Sequence, residues 1–390
     1  MKNLADHGTN PRPRLVWALL IGLLAVVIVA AGIGYLVGHG GGSPKNATGH
    51  VAPTTTTTLP PLSVVSSTPA DGAMGIASNS PITVKFSMPV SRGSLEPSLV
   101  PPATGSWRQP NRTTLVFDPT APFIPSTTEV MTVPTGDGAV RGSDGRQLAA
   151  PVSIKFTVAQ GSTERLQQLL AQLGFLPLAF ASTGTTPPPN QVVDPQPGSF
   201  SWKWSGLPAS LTSLWTEGLP NVITKAAVMQ FEAQNGLTVD GLAGPMVWSD
   251  LISDLAAGTM DTTPYVYVSV TKVLPESLTL YTNGVAQYVG IPVNTGAPGA
   301  DTADGTFPVF EHTPSSEMKG TNPDGTTYDD PAVPWASYFN GGDALHGFVR
   351  ATYGSPQSNG CVEMSIANAQ TLWPLTPIGT LVTVSGPPVT

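Results

Sequence analysis

The chain has 390 residues, of which 40% are hydrophobic and 11% charged, with 41 glycines and 41 prolines. The apolar share supports buried cores rather than global disorder, and the Gly and Pro content suits strand-rich domains joined by long turns. The formal net charge of −8, with no basic stripe, argues against a nucleic-acid partner, and the single cysteine excludes an intramolecular disulfide.

Residues 1–14 are a tail in which Lys2, Arg12 and Arg14 outweigh Asp6. Leu15 to Gly38 is an uncharged apolar run, longer than the about 20 residues that cross a ~30 Å hydrocarbon core. It predicts a single N-terminal transmembrane helix over 15–38, with Trp17 and Tyr35 near its ends. The basic flank would stay in the cytoplasm and the rest of the chain outside. The alternative is a cleaved signal peptide. Its apolar core would be shorter, although Ala30-Ala31-Gly32 offers a cleavage point. Residues 39–62 are Gly-rich and then Thr- and Pro-rich, a spacer without a core.

Residues 63–159 alternate apolar and polar side chains in short runs: Ile82 to Met88, Thr128 to Val133 and Val152 to Val158, with a shorter run at Thr114 to Phe117. Turn clusters separate them, which predicts an antiparallel β-sandwich. Residues 160–256 change character. Leu166, Leu169, Leu170 and Leu173 share one helix face, and Gly174 ends that helix. A polar insert follows at about 181–198, then a short helix near Leu211 to Trp215. Thr224 caps a helix from Lys225 to Asn235 that stops at Gly236. Pro245 opens a last helix burying Met246, Trp248 and Leu251.

The stretch from Ser67 to Val90, STPADGAMGIASNSPITVKFSMPV, resembles the opening of bacterial Ig-like domains. LQQLLAQLGFLP and ITKAAVMQFEAQNGLTVDGLAGPMVWSDL resemble the three-helix peptidoglycan-binding module, which implies binding to glycan strands or stem peptides.

Residues 263–386 return to strands. Tyr265 to Val270 alternates, and Leu278 to Tyr281 runs into Asn283-Gly284, a strong hairpin signal. Near the end stands ALHGFVRATYGSPQSNGCVEMS, with His346 and Cys361 fifteen positions apart. A thiol near pKa 8.5 is mostly protonated at neutral pH, and a neighbouring histidine can remove its proton. Gly360 permits a tight turn, and the N–H groups of Asn359, Gly360 and Cys361 are candidates for stabilising an oxyanion. The blander readings are a buried small hydrophobe for Cys361 and plain turn glycines for Gly347 and Gly360. The remaining histidines, His7, His39, His50 and His312, are scattered, and with one cysteine they make no zinc-ligand spacing.

His346-Gly347 followed by Ser358-Asn359-Gly360-Cys361-Val362 resembles the signature of the L,D-transpeptidase family, also called the YkuD domain. The runs PVNTGAPGADTADGTFPVFEH and VPWASYFNGGDALHG are similar to it as well. The resemblance implies a β-rich catalytic domain with Cys361 as nucleophile, His346 as base, and Ser358 and Gly360 shaping the turn. Tyr338 falls near a tyrosine that faces the substrate, and Gly347 and Arg350 are further substrate-facing candidates. It also implies a reaction without metal or cofactor. A tetrapeptide stem of peptidoglycan loses D-alanine to form a thioester, and a side-chain amine of a second stem takes the acyl group, giving a 3→3 cross-link. The family's thiol is acylated by carbapenems. Two positions depart from the pattern: Asn359 stands for a second His, and Glu363 for an Arg or Asn. A carboxylate there is unfavourable unless it points away or pairs with Arg350. The alternatives are an L,D-carboxypeptidase that uses water, and a catalytically silent wall-binding scaffold. The expected whole is multidomain and mainly β: anchor, spacer, Ig-like sandwich, small helical module and β-rich catalytic domain.

Overall fold

The computed structural model describes residues 59–91, 96–184 and 193–387. The apolar run 15–38 lies outside them. Among the described residues no helix is long and apolar enough to cross a membrane.

The first part holds β1 (Val64–Thr68), β2 (Ala73–Ile76), β3 (Ile82–Phe86), β4 (Ser98–Val100), β5 (Gly105–Asn111), β6 (Thr114–Pro119), β7 (Thr128–Val133) and β8 (Val152–Val158). They form two four-stranded sheets, ordered β1-β3-β6-β5 and β2-β8-β7-β4. Alternation turns Ile82, Val84 and Phe86 of one sheet and Met131, Val133, Ile154 and Phe156 of the other into a shared core. The four runs read from sequence are all strands here. β1, β2, β4 and β5 had no such signal, because they are short or mostly exposed.

The second part holds α1 (Thr163–Leu173), β9 (Leu178–Ser182), β10 (Gly198–Trp202), α2 (Ala209–Thr212), α3 (Val222–Asn235) and α4 (Pro245–Ala257). The insert read as polar loop begins and ends in a two-stranded antiparallel sheet, β9 with β10. The cap of α3 is Asn221, not Thr224: Asn221 Oδ1 accepts from the Thr224 N–H at 2.9 Å. Thr224 is instead buried, its hydroxyl accepting from Gln167 Nε2 at 3.1 Å. Met246 is 62% exposed, because it sits in the first turn facing outward, and Val247, Trp248, Leu251 and Ile252 carry the buried face. The Val-Asp-Gly loop is tied to α3, with the N–H groups of Asp240 and Gly241 donating to buried Glu232 at 3.0 and 2.9 Å.

The third part holds β11 (Val266–Thr271), β12 (Ser277–Thr282), β13 (Val285–Pro292), β14 (Gly305–Pro308), β15 (Glu311–Thr321), β16 (Thr327–Asn340), β17 (Asp343–Gly347), β18 (Val362–Met364), α5 (Ile366–Leu372) and β19 (Leu381–Ser385). One sheet is ordered β13-β12-β11-β19-β14, the other β15-β16-β17-β18. Their core includes Val268, Leu280, Phe339, Leu345, Val362 and Val384. The helical part is built onto the first of these sheets. Tyr267 and Leu381 belong to the helices' apolar cluster, and the Tyr267 hydroxyl bridges Ser210 at 2.8 Å and Thr383 at 2.7 Å.

One core position in the sandwich breaks the apolar pattern. Glu129 of β7 points inward beside Met131 and Val133, and its Oε2 has no hydrogen-bond partner. Burial alone pushes its carboxyl up to about 7. The folded chain therefore holds this proton more tightly than the unfolded chain. The stability so gained is complete below the ordinary carboxylate value of 4.5 and is lost as pH rises towards 7. Glu129→Gln should flatten this dependence, and at pH above 7 it should gain on the order of 1 kcal/mol over the native chain. Thermal melts across that range would check it.

Candidate active site

The pairing of β17 with β18 sets His346 on one strand and Cys361 at the start of its neighbour. The two strands are parallel, with Leu345 opposite Val362 and His346 opposite Glu363. Side chains alternate between faces, so Leu345, Val362 and Met364 enter the core. Ala344, His346, Cys361 and Glu363 consequently share the other face. Tyr338 of β16 pairs with Ala344 and joins them there.

The imidazole is buried, 3% exposed, with Nδ1 3.1 Å from the Gly347 carbonyl oxygen. A carbonyl only accepts, so the neutral ring carries its proton on Nδ1 and its lone pair on Nε2. Burial pulls the His346 pKa below the ordinary 6.5, against a smaller opposing effect of that hydrogen bond. Cys361 is half-buried as a residue. Burial pushes the thiol up to about 12, reinforced by the charges of Asp343 and Glu363 and opposed by the Ala344 N–H. The thiol donates to the Gly342 carbonyl at 3.6 Å rather than to the imidazole. Both groups are thus neutral at neutral pH, a thiol and a free base.

The turn before Cys361 is held from several sides. Ser358 Oγ donates to the Cys361 carbonyl at 2.6 Å and accepts from the Gly360 N–H at 3.2 Å. That amide is therefore engaged, unlike the free oxyanion donor expected from sequence. Gly360 has φ +109°, and a Cβ there would lie 2.5 Å from Asp343 Oδ1, so only glycine fits. Behind the turn, Ala297 N donates to the Ser358 carbonyl at 2.8 Å. The Asn359 side-chain amide donates to Asn322 Oδ1 at 2.6 Å, at the tip of the β15–β16 hairpin.

Glu363 does not face the thiol as a lone charge. Arg350 Nε and Nη2 donate to its two oxygens at 2.8 Å each, and Nη2 also donates to the Gln357 carbonyl at 3.2 Å. Arg350 therefore holds Glu363 and the turn together and lies over the Phe348 ring at 4.7 Å. Gly347 does not face the site either. A Cβ on it would point at Ile366 and Ala369 of α5, 3.0 and 3.1 Å away, so its small size serves helix packing. The Tyr338 hydroxyl is bonded to Ser316 Oγ at 2.7 Å. His312 is stacked on Trp373 at 4.0 Å, with Nε2 against the Trp373 carbonyl.

Sequence reading missed Tyr328, Asp330 and Asp343. The tyrosine's pKa is raised by burial and by the nearby Cys361 and Asp330. Asp330 acts electrostatically on His346. Asp343 accepts from Asn340 Nδ2 at 3.0 Å and from the Ala303 N–H. For Tyr328 and Asp330 the one sequence signal was the YDD run at 328–330, in a strand without apolar alternation. Among the described residues no group of three or more His, Cys, Asp or Glu side chains could hold a metal ion.

Residues 264–384 match the family model of the L,D-transpeptidase catalytic domain, and residues 56–158 match that of the bacterial Ig-like domain. The chain thus carries a transpeptidase-type catalytic domain behind an Ig-like one. No curated protein matches the chain. Among solved structures, an L,D-transpeptidase from Mycobacterium smegmatis aligns at 14% identity and a TM-score of 0.29, over 84% of this chain and 100% of that one. L,D-transpeptidase 3 from Mycobacterium tuberculosis, in complex with a faropenem-derived adduct, aligns at 15% and 0.29, over 83% and 97%. The catalytic domain of the E. faecium L,D-transpeptidase aligns at 24% and 0.28, over 32% and 100%. At these scores the solved structures carry no argument about activity.

Arg350→Met strands a buried carboxylate and should destabilise the chain by roughly 3 kcal/mol, whereas adding Glu363→Leu should restore most of the loss. Urea unfolding of both variants measures it. Acylation of Cys361 should need neutral His346, so its rate should stay high at neutral pH and fall with a midpoint below 6.5. The ultraviolet band of a thiolate should stay absent to about pH 10.

Proposed function

We propose that this chain is an L,D-transpeptidase of the cell wall, with Cys361 as nucleophile and His346 as general base. One observation carries the reading: the region matching that catalytic domain contains a thiol and a tethered imidazole on the same face of one strand pair. His346 Nε2 takes the thiol proton as sulfur attacks the carbonyl of the third residue, a diamino acid, of a tetrapeptide stem. The imidazolium then protonates the leaving D-alanine. A side-chain amine of a second stem attacks the thioester, giving a 3→3 cross-link without cofactor. The backbone N–H groups of Asn359 and Cys361 are the proposed oxyanion donors, since that of Gly360 is occupied.

The other regions fit the same task. Residues 1–14 would lie in the cytoplasm and 15–38 would anchor the chain in the cell membrane. Residues 39–62 would act as spacer, and 63–159 would set the distance to the wall. Residues 160–256 would bind glycan strands or stem peptides, and 263–386 would carry out the chemistry outside the membrane.

Incubation with a carbapenem, followed by intact-mass analysis and peptide mapping, tests the nucleophile. An adduct is expected on Cys361, none in Cys361→Ala, and acylation at least about a hundredfold slower in His346→Ala. With no adduct on the native chain, only a wall-binding scaffold would remain. Digested wall treated with the protein should gain 3→3 dimers; tripeptide stems alone would mean that water is the acceptor.

A further inference from the structure

A second stretch of chain holds the backbone on both sides of Cys361. After the cysteine, Asn294 exchanges both main-chain hydrogen bonds with Glu363, at 2.9 Å each. Before it, the Thr295 carbonyl accepts from the N–H groups of Gln357 and Ser358, also at 2.9 Å. Ala297 N–H donates back to the Ser358 carbonyl at 2.8 Å. Both main-chain polar groups of Ser358 are thus engaged, and its hydroxyl holds the Cys361 carbonyl. Glu276, just ahead of β12, fastens this stretch from behind. Glu276 and Thr295 are both 0% exposed. Glu276 Oε2 accepts from the Thr295 N–H at 2.7 Å, and Oε1 accepts from the Thr295 hydroxyl at 2.6 Å. Its main chain reaches the same region: its N–H donates to the Gly354 carbonyl at 2.9 Å, and its carbonyl accepts from Val293 N–H at 3.2 Å.

A carboxylate taken wholly out of water is costly, and hydrogen bonds to its oxygens offset that cost. Two such bonds to one residue fix its direction as well as its place. We infer that Glu276 is a positioning residue: by clamping Thr295 it sets Ser358, and through Ser358 it aligns the N–H groups of Asn359 and Cys361. This rests on the function proposed above, in which those two groups are the oxyanion donors. Such donors act on an oxygen position reached only in the transition state, and a misplacement of about 1 Å can cost a hundredfold in rate. A ground-state complex gains little from them. Loosening the clamp therefore slows bond formation to sulfur and leaves binding nearly unchanged.

The test follows acylation of the full chain by a carbapenem over a concentration series, read by intact mass. It yields a limiting rate constant, a half-saturating concentration and the fraction finally labelled, which counts the competent molecules. In Glu276→Ala the limiting rate constant should fall at least about tenfold while the half-saturating concentration stays within about twofold of native. Glu276→Gln keeps an oxygen for the Thr295 N–H and an amide for its hydroxyl, so it should recover to within about threefold of the native rate. A group needed only for folding would lower the labelled fraction and the melting temperature, yet the labelled molecules would react at the native rate. That result overturns the inference, as does a raised half-saturating concentration with an unchanged limiting rate. Should Glu276→Ala fail to fold, Thr295→Val decides, because it removes only the hydroxyl arm of the clamp. It should slow the limiting rate about threefold or more, and an unchanged rate overturns the inference. A native chain that takes no adduct sinks the proposed function itself; native-rate acylation in the variants sinks the positioning role alone.

Discussion

The parallel pairing of β17 with β18 is the constraint on which the site depends. Its register, Leu345 against Val362, sends every second side chain into the core and the others to the opposite face. A slip of one residue would bury Cys361 among valines and turn Val362 outward. Burial of Leu345, Val362 and Met364 therefore fixes the relation of thiol to imidazole, and the hydrophobic effect sets the chemistry's geometry. Ser358 and Arg350 add polar ties on the other side, binding the turn to its own carbonyls.

Electrostatics around that face favour a neutral pair over an ion pair. Burial raises the thiol and lowers the imidazole, and nearby carboxylates oppose the thiolate further. Such a site suits proton transfer concerted with attack rather than a standing thiolate. Pairing Glu363 with Arg350 offsets a carboxylate charge that would otherwise oppose the reaction.

The helical part and the catalytic sheet share apolar side chains rather than merely touching. Tyr267 sits in the helices' cluster, yet its hydroxyl bonds to Thr383 of the neighbouring strand, and Trp204 stacks on Tyr265 at 6.2 Å. If the helices bind the wall as proposed, they would do so from a fixed position relative to the site, because moving them would expose Tyr267 and Leu381.

Local pattern was enough for much of this. Alternation gave four strands of the sandwich, Asn283-Gly284 gave the β12–β13 hairpin, and the His and Ser-Asn-Gly-Cys spacing singled out Cys361 and His346. Each of these signals is short-range: a side chain every second position, a turn that needs positive φ, a glycine beside a cysteine. The long β15–β16 hairpin was not legible, because its strands are largely exposed and both carry proline, leaving no apolar period to read. Nor could sequence tell that Gly347 packs on α5, that Glu363 is paired, or that the charge of Asp330 reaches the imidazole. Those facts depend on which strands lie side by side. Sequence by itself determined the candidate groups and the strand faces; only the tertiary structure decided what surrounds them, since burial and partner charges come from residues far away along the chain.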